Sequence, residues 1–142
     1  IPYNNYKLSD KSLNYENMIN DAFLKPELTR FELHRVWVIE GTLKPGAEHI
    51  YSKRTMYVDE DSWYVALMDQ YDTKGDLWRV KMLYLMQAYD APGLYTSGEV
   101  QHDLNARKSV FSAFQNEEPP TEFNVPVRSG DFTPAALRKL MR

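Results

Sequence analysis

From Phe31 to Leu43 apolar and polar side chains alternate with a period of two. Phe31, Leu33, Arg35, Trp37, Ile39, Gly41 and Leu43 fall on one side, and Glu32, His34, Val36, Val38, Glu40 and Thr42 on the other. One side is mostly apolar and the other mixed, which predicts a half-buried strand. Lys44-Pro45-Gly46-Ala47 then supplies a turn, because Pro fixes φ and Gly accepts a positive one. Ile50 to Val58 predicts a second strand, and Asp59-Glu60-Asp61 turns the chain again. Ser62 to Asp72, Leu77 to Tyr89, Leu94 to Leu104 and Lys108 to Phe114 predict four more. Thr73–Asp76, Ala91-Pro92-Gly93 and Asn105–Arg107 separate them. The whole reads as an antiparallel β-meander. Gly98, inside the fifth strand, predicts a bulge or a close approach of another group.

The flanks are less regular. Ser12 to Asn20 predicts a short helix with Leu13, Met18 and Ile19 as its apolar positions, and Pro26 ends any extension. Asn116 to Asp131 has three prolines and no periodicity, which predicts an extended surface segment. At the C-terminus Thr133 stands where an N-cap belongs, with Pro134 at the first helical position. Phe132 and Leu137 are spaced for a hydrophobic staple. Arg138, Lys139 and Arg142 suit the negative end of the helix dipole. The expected helix docks through Leu137, Leu140 and Met141.

The third and fourth strands are rich in apolar residues at both parities. Trp63, Val65, Leu67 and Tyr71 alternate with Tyr64, Ala66 and Met68. Trp78, Val80, Met82, Tyr84, Met86 and Ala88 stand against Leu77, Leu83 and Leu85. Such strands call for cover on both faces, from helices and loops, from another part of the protein, from a partner or from an apolar ligand.

The chain has 142 residues, enough for one domain with a buried core, read here as a single domain over 1–142. Apolar residues make up 43% and aromatics 13%, too many for a disordered chain. The formal charge is −3, from 20 acidic and 17 basic residues that are well interspersed. With no basic stripe, nucleic acid is not an expected partner. There is no cysteine, so disulfides, thiolate metal sites and cysteine nucleophiles are excluded together. No apolar run is long enough for a helical membrane span. The sequence starts at Ile1 without Met or a signal-like stretch, and reads as part of a longer protein.

Candidate chemistry is sparse. His34, His49 and His102 invite a metal site, with Glu32, Glu40 and Asp103 as further ligands. With the first turn centred on Pro45-Gly46, however, His34 and His49 lie far apart along the hairpin, and no HxH or HExxH spacing occurs. No metal and no cofactor is expected. Arg35, Lys53, Arg54, Asp59, Glu60 and Asp61 form a charged group that reads as a solvated strand face with cross-strand pairs. Arg35 interrupts an apolar face and reads as a buried, partnered guanidinium. Asp69 and Arg79 are placed to pair across the third turn. No G-x-S-x-G, P-loop or G-x-G-x-x-G is present, so no catalytic residues are assigned. What remains is a Trp, Tyr and Met inventory, which is usually plain core but also suits surfaces that accept varied apolar ligands.

The run ELHRVWVIEGTLKPGAEHIYSKRTMYVDEDSW, then YDTKGDLWRV, then NEEPPTEFNV and DFTPAALRK resemble the C-terminal part of a bacterial domain-of-unknown-function family, number 1329. That family is similar to the outer-membrane lipoprotein-sorting proteins of the LolA/LolB type. The resemblance covers nearly the whole chain from PYNNYKLSDKSL onward and implies that an upstream half is absent. It implies a Gram-negative periplasmic or outer-membrane-associated protein. It also implies an incomplete, strongly curved β-barrel with short helices around a hydrophobic cavity, of the kind LolA-type proteins use to hold acyl chains.

The expected protein is therefore mainly β, a curved antiparallel meander forming an incomplete LolA/LolB-like barrel. The expected function is non-enzymatic binding or transfer of a lipid or other apolar molecule. Trp37, Trp63, Trp78, Met82 and Met86 are the candidate ligand-binding positions. The alternative is an interaction module that docks on an outer-membrane barrel or a transporter.

Overall fold

The structure, a computed structural model, describes residues 1–141, so Arg142 and its expected place at the helix terminus lie outside the described residues. Six strands run in order as an antiparallel meander: β3 (Val36–Thr42), β4 (Lys53–Asp59), β5 (Val65–Tyr71), β6 (Leu77–Ala88), β7 (Gly93–Asp103) and β8 (Lys108–Ser112). A two-residue hairpin, β1 (Ile19–Asn20) with β2 (Phe23–Leu24), precedes them. The sheet does not close, and β3 and β8 are its edges.

The turns follow the chemistry read from the sequence. Gly46 and Gly75 take positive φ, and the Asp72 carboxylate accepts from the backbone N–H groups of Lys74 and Asp76. Register shifts between Tyr57 and Val58, Gln70 and Tyr71, and Tyr84 and Leu85 interrupt three of the ladders. Such bulges bend a strand and increase its twist, which is how a sheet of this width curves.

Directly opposite residues share a face, so the register assigns the rows. Val38, Tyr57, Leu67, Met82, Val100 and Phe111 form one row, and Glu40, Thr55, Asp69, Val80, His102 and Ser109 run beside it. Residues 1–31 cover the β6–β8 half of that face. Leu8, Met18 and Leu24 from this segment pack with Tyr84 and Val100 into the core. Polar ties hold the cover down. The Asn5 backbone N–H donates to the Leu85 carbonyl (2.8 Å), and the Arg30 N–H donates to Asn5 Oδ1 (2.7 Å). Asn116 Nδ2 donates to the carbonyls of Leu8 and Asp10, and the Tyr15 hydroxyl to that of Phe114.

The opposite face carries Ile39, Met56, Met68, Lys81, Gln101 and Val110, with Gly41, Arg54, Gln70, Arg79, Asp103 and Lys108 beside them. It is less apolar than the sequence pattern suggests, because Arg79–Asp103 (2.9 Å) and Lys81–Glu99 (2.8 Å) bridge β6 to β7 there. Asp69 does not meet Arg79. It stands opposite Val80, on the other face, and the shift after Gln70 sets that register.

Four further expectations need correction. The first strand starts at Val36, since Phe31 bridges to Pro2 instead of to β4. Arg35 is exposed and pairs with Glu60 (3.1 Å), so no buried guanidinium exists there. The helix expected over Ser12–Asn20 is one turn, α1 (Tyr15–Met18), capped by Asn14, because Ile19 is extended and enters β1. The terminal helix α2 (Pro134–Leu140) forms with Thr133 as its cap, the Ala136 N–H donating to Thr133 Oγ1 (3.2 Å). Yet Leu137, Leu140 and Met141 are all exposed, so it does not cover the sheet.

Candidate functional site

The apolar residues of the covered face are not fully capped by the N-terminal segment. Between them lies an open hollow of about 490 Å³. Its floor is Val80, Met82 and Tyr84 of β6 with His102 of β7, and Leu104 stands at its end. Its wall is Phe23, Leu24, Pro26, Thr29 and Phe31. The β1–β2 hairpin places Phe23, and the turn at Pro26–Leu28 redirects the chain so that Phe31 returns to the sheet. A second apolar hollow of about 360 Å³, lined by Tyr15, Met18, Ile19, Leu24 and Phe111 to Phe114, lies on the other side of Leu24. Both volumes are within the range of small-molecule sites.

Polar groups in the first hollow are few and mostly engaged. The Tyr84 hydroxyl reaches Met82 Sδ (3.6 Å), and burial pushes its pKa up to about 12. His102 Nδ1 lies 2.7 Å from Ser109 Oγ, and Ser109 in turn donates to the Ala22 carbonyl (2.6 Å). The Phe23 ring packs on the imidazole at 5.2 Å between centroids. Burial lowers the His102 pKa from its ordinary value.

Of the five candidate positions, Met82 lies in this hollow. Met86 lines a different one of about 350 Å³ with Ser9, Lys11, Tyr95 and Phe123, where the Tyr95 hydroxyl approaches its sulfur (3.4 Å). Trp37 is exposed on the uncovered face of the edge strand, beside Val58. Trp63 is exposed in the β4–β5 turn with φ +62°, outside the strand that the alternation assigned to it. Trp78 is a bulge residue: its Nε1 donates to Asp103 Oδ2 (3.0 Å), and the Arg79 guanidinium lies 4.1 Å from its ring. The structure thus does not bring the five together. Phe23 and Leu24 escape the sequence reading because they lie in a segment with no period. Phe31 escapes it because its alternation assigns it to the first strand when it instead bridges to Pro2, and His102 because its residue type suggests only a metal ligand.

A second cluster sits at the end of β4. Asp59 is fully buried, with Oδ1 2.8 Å from His34 Nδ1 and Oδ2 accepting from the Ser62 N–H (3.0 Å) and hydroxyl. Burial opposes its charge, but the hydrogen bonds from Ser62 and His34 prevail and hold its pKa below the ordinary carboxylate value. Tyr3 stacks on His34 at 4.2 Å, and Asp61 completes a group whose donor atoms lie within 4.8 Å of one another. Both Asp59 oxygens are already taken up by these bonds, so the cluster reads as a staple between the N-terminal segment and the β4–β5 turn. His49 belongs to neither site: its Nε2 meets Arg54 (3.1 Å), five residues along β4 from Asp59 or roughly 17 Å at ~3.3 Å per residue.

Comparison with known proteins agrees with this architecture. The family model described as "Protein of unknown function (DUF1329)" matches residues 1–138. The chain belongs to this family. An uncharacterized protein of Pseudomonas aeruginosa is 43% identical to this DUF1329 chain over 140 residues, which is 98% of the chain and 31% of that relative. The chain therefore spans about a third of the curated relative it matches. A solved domain from Vibrio parahaemolyticus, named for outer membrane lipoprotein sorting, superposes with a TM-score of 0.50 and 18% identity. The match covers 92% of this chain and 59% of the solved one. At that identity the likeness shows the fold: mainly β, antiparallel, LolA-like, with an open sheet.

Proposed function

We propose that this DUF1329 chain is the C-terminal, single-domain portion of a longer LolA/LolB-like protein that binds or passes on a lipid or similar apolar molecule without chemistry. The observation that carries this reading is the open hollow between Phe23, Leu24 and Phe31 and the row Val80, Met82, Tyr84. The sorting-domain fold supports it, as does the apolar lining, in which His102, Thr29 and Tyr84 are the polar side chains. The proposed place is the periplasm, in association with the outer membrane.

The test is binding of the neutral fluorophore N-phenyl-1-naphthylamine to full-length protein, with native mass spectrometry for co-purified lipid. Met82→Asp and Phe23→Asp each put an unpaired carboxylate into the hollow, and each is expected to weaken binding by about tenfold or more. Saturable binding that survives both substitutions overturns the assignment of the hollow, and absence of any saturable binding overturns the carrier reading.

The edge strand favours a second reading. Trp37, Val38 and Ile39 are exposed on the two faces of β3, at 53%, 60% and 46%. A docking module that engages an outer-membrane barrel or a transporter would use such a surface, and it becomes the better account if the first test fails.

A further inference from the structure

His102 is the one imidazole of the apolar hollow, and its bonding fixes what it offers there. A serine hydroxyl has a single proton to give. Ser109 gives it to the Ala22 carbonyl at 2.6 Å, so the Ser109 oxygen accepts from His102 Nδ1–H at 2.7 Å. With the proton on Nδ1, the neutral ring presents a lone pair at Nε2. Among the described residues Nε2 has no hydrogen-bond partner, and it is not sealed from solvent. No Lys, Arg, Asp or Glu among the described residues lines the hollow to recruit or neutralise a charged ligand.

We propose that His102 Nε2 is the polar anchor of this site, so that the hollow takes a long-chain amphiphile whose head is a neutral hydroxyl, of the fatty-alcohol or monoacylglycerol class. This rests on the carrier reading and specifies its ligand. The chain lies along Met82, Phe23 and Phe31, and the head hydroxyl donates to Nε2. A carboxylate head has no proton to give and meets the lone pair with like polarity. A quaternary ammonium head has none either. The Ser109 bond is what keeps Nε2 an acceptor, which makes Ser109 a positioning residue rather than a contact.

The experiment compares displacement of N-phenyl-1-naphthylamine from full-length protein at pH 8 by dodecane, 1-dodecanol, laurate and dodecyltrimethylammonium. The expected order places 1-dodecanol first, by about two- to tenfold over dodecane, the scale of one hydrogen bond. His102→Leu should erase that preference while leaving dodecane displacement in place. Ser109→Ala releases the tautomer and should lower the preference, with a change in the His102 ring ¹⁵N shifts that a packing effect alone would not give. If dodecane does not displace the probe, the carrier reading fails and this inference falls with it. If all four chains displace it equally in the wild-type protein, the hollow binds chains but His102 is not an anchor. That second outcome needs no variant, so misfolding of His102→Leu cannot protect the idea.

Discussion

A Cβ built on Gly98 would lie 2.1 Å from Phe114 Cε1, with two more ring atoms at 2.4 and 2.5 Å. Phe114, just past β8, folds its ring over the backbone of β7, and Gly98 is the residue that lets it. Gly98→Ala should therefore destabilise the fold by roughly 1–3 kcal/mol through overpacking. Phe114→Ala removes the ring and should cost ~3–5 kcal/mol. The two changes share one space, so the double variant should be markedly more stable than their summed effects predict. Urea midpoints of the four proteins complete the cycle, and simple additivity would mean that the ring does not sit on Gly98.

The buried Asp59 predicts an acid-sensitive staple. Its pKa is lower in the folded state than in the unfolded one, so its contribution is present above about pH 3.9 and is lost as pH falls through the folded value. Asp59→Asn keeps the shape but loses charge-assisted bonds to His34 and Ser62, at ~1.5–3 kcal/mol. Stability measured from pH 7 down to pH 2.5 should show a smaller acid loss for the variant than for the wild-type protein. Equal slopes would remove Asp59 from this role.

Thr133→Ala deletes the cap oxygen that accepts from the Ala136 N–H. Because Leu137 and Leu140 are exposed at 59% and 84%, the loss of ~1 kcal/mol falls on the helix and not on the sheet. Hydrogen exchange at Ala136 to Arg138 should accelerate while the global denaturation midpoint stays put. A lowered midpoint would show that the helix is docked after all.

The meander was legible because each strand carries its own period, and because Gly46 and Gly75 mark turns that demand positive φ. Gly98 was legible for a different reason, since a glycine inside a strand marks a bulge or a close approach, here that of the Phe114 ring. Side-chain partnerships across strands were not, since three one-residue shifts decide which face a residue takes. Asp69 bonds the Tyr57 hydroxyl (3.0 Å) where the pattern placed it beside Arg79. Met82 was found within the candidate site because β6 is long and periodic. Phe23 and Phe31 were not, because long-range bonds such as Asn5 to Leu85 and Arg30 to Asn5, rather than a local period, lay the N-terminal segment on the sheet. Trp63 shows the converse: an aromatic in phase with a strand, turned out by a left-handed backbone.

The hollow should respond to pH through His102 alone. Tyr84, with its pKa near 12, stays neutral through the working range, and the remaining lining residues do not titrate. Burial favours the neutral imidazole in the fold, so the His102 contribution to stability is complete above about pH 6.5. It declines as pH falls through the lower, folded value. A head group that donates to Nε2 needs the same neutral ring, and binding it should push the protonation of His102 to still lower pH. Affinity for 1-dodecanol should thus be flat while the ring is neutral and fall as pH drops through the folded value, by at most the roughly two- to tenfold that one hydrogen bond contributes. Dodecane, which makes no bond to Nε2, should lose less. His102→Leu should flatten both curves. Titrations with the two chains across the His102 protonation midpoint, followed by its ring ¹⁵N shifts, measure this directly, and an alcohol curve that stays level through that midpoint would show that no ligand bond reaches His102.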